Sequence, residues 1–191
     1  MRPPRHGMLL LAAGAARRFG APKQLLQREG ETLVHRAARL GLATQPADAV
    51  LVHAAGAAPI LAAVADLPVR LLECAESGRG MGASLQAGLA ALAPACDAAL
   101  VLLCDQPALT AEHLQALLAA WRRTPLQAVA SAYAGTRGVP ALLPRSWFGL
   151  IAADGDRGAR ALLRQRPDVG AVTAEALALD VDRPEQWERW A

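Results

Sequence analysis

The run Met8–Ala13 (MLLLAA) is apolar at every position and stops at Gly14. A strand-length segment with no polar side has nothing to present to water, so it must be covered on both faces. The pattern recurs at Ala49–His53 (AVLVH), Val69–Leu72 and Ala98–Cys104 (AALVLLC). Between these runs the apolar period changes to that of a helix. Met81, Leu85, Leu89 and Leu92 share one helical face. So do Leu114, Leu117, Leu118 and Trp121, after an N-cap signal at Thr110 with Glu112 close behind. Doubly buried strands alternating with helices predict βαβ units: an α/β fold with a mostly parallel sheet and helices on both faces.

The chain has 191 residues, the length of one domain with a full core. Its residues are 53% hydrophobic and 19% charged, which excludes a disordered chain. A net charge of +3, with the arginines scattered, argues against a nucleic-acid partner. Met1–Gly7 reads as a short basic leader, and the apolar run after it is too short for a signal peptide or a membrane span. Cys74, Cys96 and Cys104 lie far apart with no C-x-x-C, which points to reduced thiols in the cytoplasm rather than to a disulfide or zinc site. After Ala128 the pattern loosens. It predicts a strand or hairpin over 128–143, helices near 146–152 and 157–165, a short strand around 176–181, and a last helix from about Pro184 carrying Trp187 and Trp190. His35 and His113 fall on helices and His53 ends the second strand, each in a structural role.

Two places carry candidate chemistry. The first strand enters a loop of small residues, from Leu11, Ala12, Ala13 and Gly14 to Gly20, with Arg18 and Lys23 at its two ends. Small residues let backbone N–H groups approach a phosphate, and the two cations add charge. The loop is not a G-K-[ST] P-loop and holds no G-x-G-x-x-G, and an ordinary strand–loop with solvated arginines reads equally well. The second place is Asp105, directly after the most apolar strand. Ligands of open parallel sheets gather beyond the carboxyl ends of the strands. A magnesium triphosphate takes one or two protein carboxylates there. A helix-cap or turn aspartate is the competing reading. Cys104 reads as a buried small apolar residue.

Taken together, these segments resemble the MobA-like nucleotidyltransferases. Leu11-Ala-Ala-Gly14 through Arg18, Gly20, Lys23 and Gln24 is similar to that family's first-loop signature. Gly80-Met-Gly-Ala-Ser84, Asp105-Gln106-Pro107, Gly138-Val-Pro140, Gly155-Asp156-Arg-Gly158-Ala-Arg160 and Asp180-Val-Asp182-Arg-Pro184 follow in order, over nearly the whole chain. Within the family the resemblance is nearest to molybdenum cofactor cytidylyltransferases. It implies a Rossmann-like three-layer α/β/α sandwich forming a single domain, 1–191, with acceptor-binding elements at about 128–182.

It also implies Mg²⁺-dependent transfer, with Mn²⁺ as an alternative ion. CMP passes from CTP to the terminal phosphate of molybdopterin or molybdenum cofactor, and pyrophosphate leaves. Arg18, Lys23 and Asp105 become the expected catalytic groups. Leu11, Ala12, Ala13, Gly14, Gly80 and Ser84 join them in binding the nucleotide. Gly138, Pro140, Asp156 and Arg160 are expected at the acceptor, and Asp105 and Asp182 at the metal. The expected partners are the two substrates and a molybdenum hydroxylase that receives the product, with a monomeric enzyme in the cytoplasm.

Two positions depart from the family pattern. Ala16 stands where a small hydroxyl residue is usual, which removes a side-chain hydrogen bond. Glu73-Cys74-Ala75-Glu76 stands where an Asn is frequent. Rival readings are guanylyl transfer, cytidylyl transfer to a sugar or polyol phosphate, a non-catalytic cofactor carrier, and an oxidoreductase. Gly-Gly is usual in the first loop of the guanylyl enzymes, where this chain has Ala13-Gly14. The retained Arg18, Lys23 and Asp105 speak against a carrier, and the missing dinucleotide fingerprint against an oxidoreductase.

Overall fold

The computed structural model describes residues 2–14, 22–151, 159–179 and 187. Its seven-stranded sheet has the order β5-β4-β1-β6-β8-β7-β9. The strands are β1 (His6–Leu11), β4 (Ala49–His53), β5 (Arg70–Glu73), β6 (Ala98–Leu103), β7 (Val129–Tyr133), β8 (Thr136–Pro144) and β9 (Gly170–Thr173). A separate two-residue hairpin, β2 (Gln27–Arg28) with β3 (Glu31–Thr32), leads into the first helix. The helices are α1 (Leu33–Leu42), α2 (Ala58–Ala63), α3 (Met81–Ala91), α4 (Ala111–Arg123) and α5 (Arg160–Gln165). Within the large sheet β8 alone runs against its neighbours. The mostly parallel α/β fold is as expected.

The doubly apolar strands explain the three layers. Met8 and Leu10 of β1 face a core filled by α1, α2 and α4, whereas Leu9 and Leu11 face a second core filled by α3 and α5. β6 divides the same way, with Leu100 and Leu102 on the first side and Ala99 and Val101 on the second. Met8, Leu9, Leu10, Leu100 and Leu102 are fully buried. Each such leucine contributes roughly 1.5–3 kcal/mol by leaving water. α4 forms on the predicted stripe: Thr110 accepts a hydrogen bond from His113 N at 3.2 Å, and Leu114, Leu117, Leu118 and Trp121 face the sheet with no exposure.

Several expectations need correcting. The basic leader does not stand apart from the fold, because His6 and Gly7 already belong to β1. Arg2 pairs with Asp97 at 2.9 Å, and Arg5 N donates to the same carboxylate at 2.8 Å. The segment expected as a helix near 146–152 is a 3₁₀ turn at Arg145–Leu150. The strand expected around 176–181 is a 3₁₀ turn at Glu175–Ala178, and the strand itself lies earlier, as β9. Glu175 Oε2 accepts from Ala134 N at 3.0 Å, which draws that segment over the β7–β8 turn instead of along the sheet. The hairpin expected over 128–143 is present as β7 and β8. The last helix lies outside the described residues, apart from Trp187. No helix among the described residues is long and apolar enough to cross a membrane.

Candidate active site

The chain runs β1, β4, β5 outward in one direction and then returns to place β6 on the other side of β1. The sheet order therefore reverses at β1, and the crevice beyond the carboxyl ends of β1 and β6 is where such a sheet accommodates a ligand. Leu11 and Leu103 are partners in register, so the first loop and the segment Cys104–Asp105 leave the sheet side by side.

Lys23 comes into this crevice on a 3₁₀ turn, Lys23–Leu25. Its Nζ lies 3.3 Å from Asp105 Oδ2, with the two side chains 15% and 27% exposed. The adjacent Gln24 is buried and acts on the loop itself. Its Nε2 donates to Ala12 O at 3.0 Å and to Gly14 O at 2.8 Å. One short turn thus aims a cation at Asp105 and ties down the backbone of the first loop. Leu11 and Ala12 are buried, Ala13 is half-buried and Gly14 is exposed, so the chain surfaces within these four residues. Arg18 lies outside the described residues.

The Asp105 segment is braced from both sides. Arg28 donates to Pro107 O, and Arg36 Nη2 donates to Leu109 O at 2.8 Å. Cys104 Sγ lies 3.6 Å from Leu11 O, and burial, with the Asp105 charge as a lesser cause, pushes its thiol far up. It is a packing residue and no nucleophile.

The next strand carries an irregularity that the sequence does not announce. Ala130 pairs with Ala141, but Ser131 pairs with Gly138, so Val139 and Pro140 have no partner in β7. Pairing with β6 also stops at Ala141. Side chains satisfy the freed carbonyls. Gln106 Nε2 donates to Val139 O at 2.9 Å and Tyr133 OH to the same oxygen at 3.0 Å. Ser131 Oγ donates to Pro140 O at 2.7 Å and stands 2.7 Å from His113 Nε2. Because the serine hydrogen goes to Pro140 O, the imidazole Nε2–H must be the donor in that pair. Burial lowers the His113 pKa, which favours this neutral ring. Bulges of this kind re-aim a strand beside an active site. Here the bulge carries Gly138 and Pro140 past Gln106, the residue after Asp105. At Gly138 the space is taken: a Cβ would lie 2.4 Å from the Tyr133 hydroxyl oxygen.

Of the remaining expected residues, Gly80 caps α3 at φ 115°, a backbone that only glycine adopts without strain. Ser84 is buried in the first turns of that helix. Arg160 is exposed at the start of α5. Asp156 and Asp182 lie outside the described residues. Sequence reasoning gave Gln24 and Gln106 no role beyond their place in the motifs, gave His113 only a structural one, and missed Ser131. The signal for the two glutamines was their place in those motifs, directly after Lys23 and Asp105.

The donor set fits a metal that arrives with its substrate. Among the described residues no three His, Cys, Asp or Glu side chains gather into a cage. Asp105 Oδ1 has no hydrogen-bond partner among those residues and offers one hard oxygen. A Mg²⁺ or Mn²⁺ ion needs little more from a protein when phosphates and water complete its shell.

Known proteins resemble this chain in sequence and in fold. The model of the MobA-like NTP transferase domain matches residues 8–169. The purine catabolism protein PucB of Bacillus subtilis (strain 168) is 30% identical over 202 residues, covering 98% of this chain and 97% of that protein. The crystal structure of Rv0371c from Mycobacterium tuberculosis H37Rv superposes with a TM-score of 0.83 at 25% identity, covering 98% of both chains. Rv0371c in complex with manganese superposes at 0.76, with 26% identity and 97% of both chains covered. A match over most of the chain, a relative aligned nearly end to end, and a crevice built at the reversal of the sheet lead to one conclusion: this chain belongs to the MobA-like NTP transferase family.

Proposed function

We propose that the chain transfers CMP from CTP to the terminal phosphate of molybdopterin or its metal-bound form. The acceptor phosphate oxygen forms a bond to the α-phosphorus of CTP, the bond to the β-phosphate oxygen breaks, and pyrophosphate leaves. The observation that carries the reading is Lys23 beside Asp105 at the mouth shared by β1 and β6. Phosphoryl-type transfer needs in-line positioning and charge neutralisation more than covalent help. Lys23 supplies charge for the β- and γ-phosphates, joined by Arg18, while Leu11–Gly14, Gly80 and Ser84 bound the base and ribose. Asp105, with Asp182, would hold Mg²⁺ or Mn²⁺, and the bound ion offsets charge on the reacting phosphates. A crystal structure of Rv0371c is a complex with manganese, which supports a divalent ion in the proposed reaction.

The bulge at Val139–Pro140 forms the acceptor wall, with Gly138, Pro140, Asp156 and Arg160 facing the phosphorylated acceptor. The single domain spans 1–191, its acceptor half at about 128–182, and works as a monomer. The relative PucB is named for purine catabolism. Oxidation of a purine ring is molybdenum hydroxylase chemistry, so such an enzyme is the proposed recipient of the product.

Asp105→Asn tests the assignment. Asn keeps size and polarity and removes the charge, so the fold survives while Mg²⁺-dependent pyrophosphate release from CTP and molybdopterin falls about a hundredfold or more, roughly 2.7 kcal/mol of transition-state stabilisation. If Asp105 were a turn cap only, Asn would cap nearly as well, and turnover would stay near wild type with a slightly lowered thermal midpoint. That result removes Asp105 from the mechanism.

A further inference from the structure

A groove of about 560 Å³ opens beside the tip of the β7–β8 hairpin, and none of the roles above uses it. Tyr133, Thr136, Arg137, Arg164 and Glu175 line it. We infer that this groove is an anion site, and that it receives the charged end of the acceptor remote from the phosphate that reacts. The inference rests on the transferase reading for the acceptor and on the groove's own chemistry for the anion.

Position comes first. β8 is antiparallel to both β6 and β7, so β6 and β7 run the same way and end on the same edge of the sheet. Asp105 follows the end of β6, and Tyr133 is the end of β7. The two ends are two strand spacings apart, about 10 Å. A ligand holding its reacting phosphate near Asp105 and extending along the edge past Gly138 reaches the groove with its other end. The expected acceptor is therefore a molecule with a phosphate at one end and a second anionic group about 10 Å away.

Charge comes second. Arg137 is held in place, because its Nη1 donates to Arg166 O at 3.0 Å. Arg164 projects from the last turn of α5, exposed and with no ion pair or hydrogen bond among the described residues. Surface arginines are usually solvated, and one alone would mean nothing. Here two line one concave groove. The acid beside them, Glu175, is turned to the hairpin, its Oε2 accepting from Ala134 N at 3.0 Å. Guanidinium groups in a fork suit a compact oxyanion, which offers several acceptor atoms at once. An oxyanion or a thiolate pair bearing a metal oxyanion has that form, and the metal-bearing end of a molybdenum cofactor is of this class.

The chain has one tyrosine, and Tyr133 is in the groove wall, so the site carries its own reporter. The full chain is labelled with 3-fluorotyrosine, and its single ¹⁹F resonance is followed while sodium molybdate is added without nucleotide. The expected result is a saturable shift with a Kd of about 1 mM or tighter, abolished in Arg137→Gln/Arg164→Gln. Arg164→Glu alone, at an exposed position that no packing depends on, must weaken the shift at least about tenfold. No saturable shift below about 10 mM, an equal shift with sodium chloride at the same ionic strength, or an unaltered shift in the double variant overturns the site. Steady-state rates separate this from the transferase reading. Arg164→Gln raises the KM for the acceptor and leaves the KM for CTP where it was. A molybdate shift with no pyrophosphate release from CTP and molybdopterin supports the groove and overturns cytidylyl transfer instead.

Discussion

Lys23 and Asp105 are 82 positions apart in the chain and meet because β1 and β6 are neighbours. Both were legible in the sequence, one as a cation closing a loop of small residues, the other as a lone carboxylate after an apolar strand. Gln24 and Gln106 stood in the family motifs, but what they do there was not legible, because an amide's partner is set by backbone that comes from elsewhere: Ala12 O in one case, Val139 O in the other. Ala13 supports a prediction on base choice. In the proposed nucleotide site its methyl group would take space beside the base that glycine would leave open, so CTP is expected to bind at least about tenfold tighter than GTP, a difference of about 1.4 kcal/mol. Calorimetric titration giving GTP an equal or better affinity would reverse the choice. His6 supports a prediction on pH. Its ring is 3% exposed and stands 2.9 Å from Thr44 Oγ1. Burial, with the Arg122 charge second, lowers its pKa from 6.5 to about 4. The folded chain keeps the ring neutral, whereas the unfolded chain protonates it below pH 6.5. Stability therefore falls as pH drops from about 6.5 to about 4, on the order of 3 kcal/mol in all, and this group adds nothing further below that. Urea midpoints at pH 7, 5.5 and 4 check it, and His6→Gln is expected to flatten that part of the profile.

Among the elements, the helices on the sheet were the most legible, since their apolar stripes have the period of the face they cover. α4 is the clearest case. β9 was hidden for the opposite reason. It is four residues long at an edge of the sheet and only half-buried, so its sequence carries little pattern. The bulge in β8 was hidden because register is a property of two strands together. Close helix-to-sheet contact shows in two glycines. A Cβ on Gly88 of α3 would lie 2.3 Å from Leu9 Cδ1, 2.9 Å from Leu9 Cδ2 and 2.9 Å from Val52 Cγ2. On Gly41 of α1 it would lie 2.3 Å from Met8 Sδ and 2.7 Å from Leu102 Cδ1. Alanine in a helix gains about 1 kcal/mol over glycine, and overpacking a core costs about 1–3 kcal/mol. Methionine bends out of the way at three rotatable bonds, whereas a branched Leu–Val pair in a packed layer does not. Gly88→Ala is therefore expected to destabilise by about 1–2 kcal/mol, and Gly41→Ala to stay within about 1 kcal/mol of wild type. Equal denaturation midpoints for the two variants would show that α3 can lift from the sheet as easily as α1.

For the molecule as a whole, the sheet divides in sequence order. β1, β4, β5 and β6, all parallel, come from the first 103 residues and build the side of the crevice proposed for the nucleotide. β7, β8 and β9 come from residues 129–173 and build the side proposed for the acceptor. The first half was legible because βαβ repetition leaves a rhythm. The second was legible only as a hairpin, since its one reversed strand and its short edge strand follow no repeat. The two halves are joined along the β6–β8 ladder, where Ala98–Val101 pair with Ala141–Pro144. That seam has a consequence in time as well as in space. A chain made from its first residue onward completes β6 well before residue 141 exists. Until then an apolar strand with every backbone group on one side unpaired is exposed to the cell. Unpaired, flat, apolar strand edges recruit other chains. A fragment ending at Gln127 is therefore expected to aggregate, although it contains Lys23, Asp105 and both loops of the proposed nucleotide side. A fragment extended to Ile151, which adds β8, is expected to stay in solution, and sedimentation of the two expressed fragments compares them. The later half, on this view, also serves as the cover under which its older neighbour survives its own synthesis.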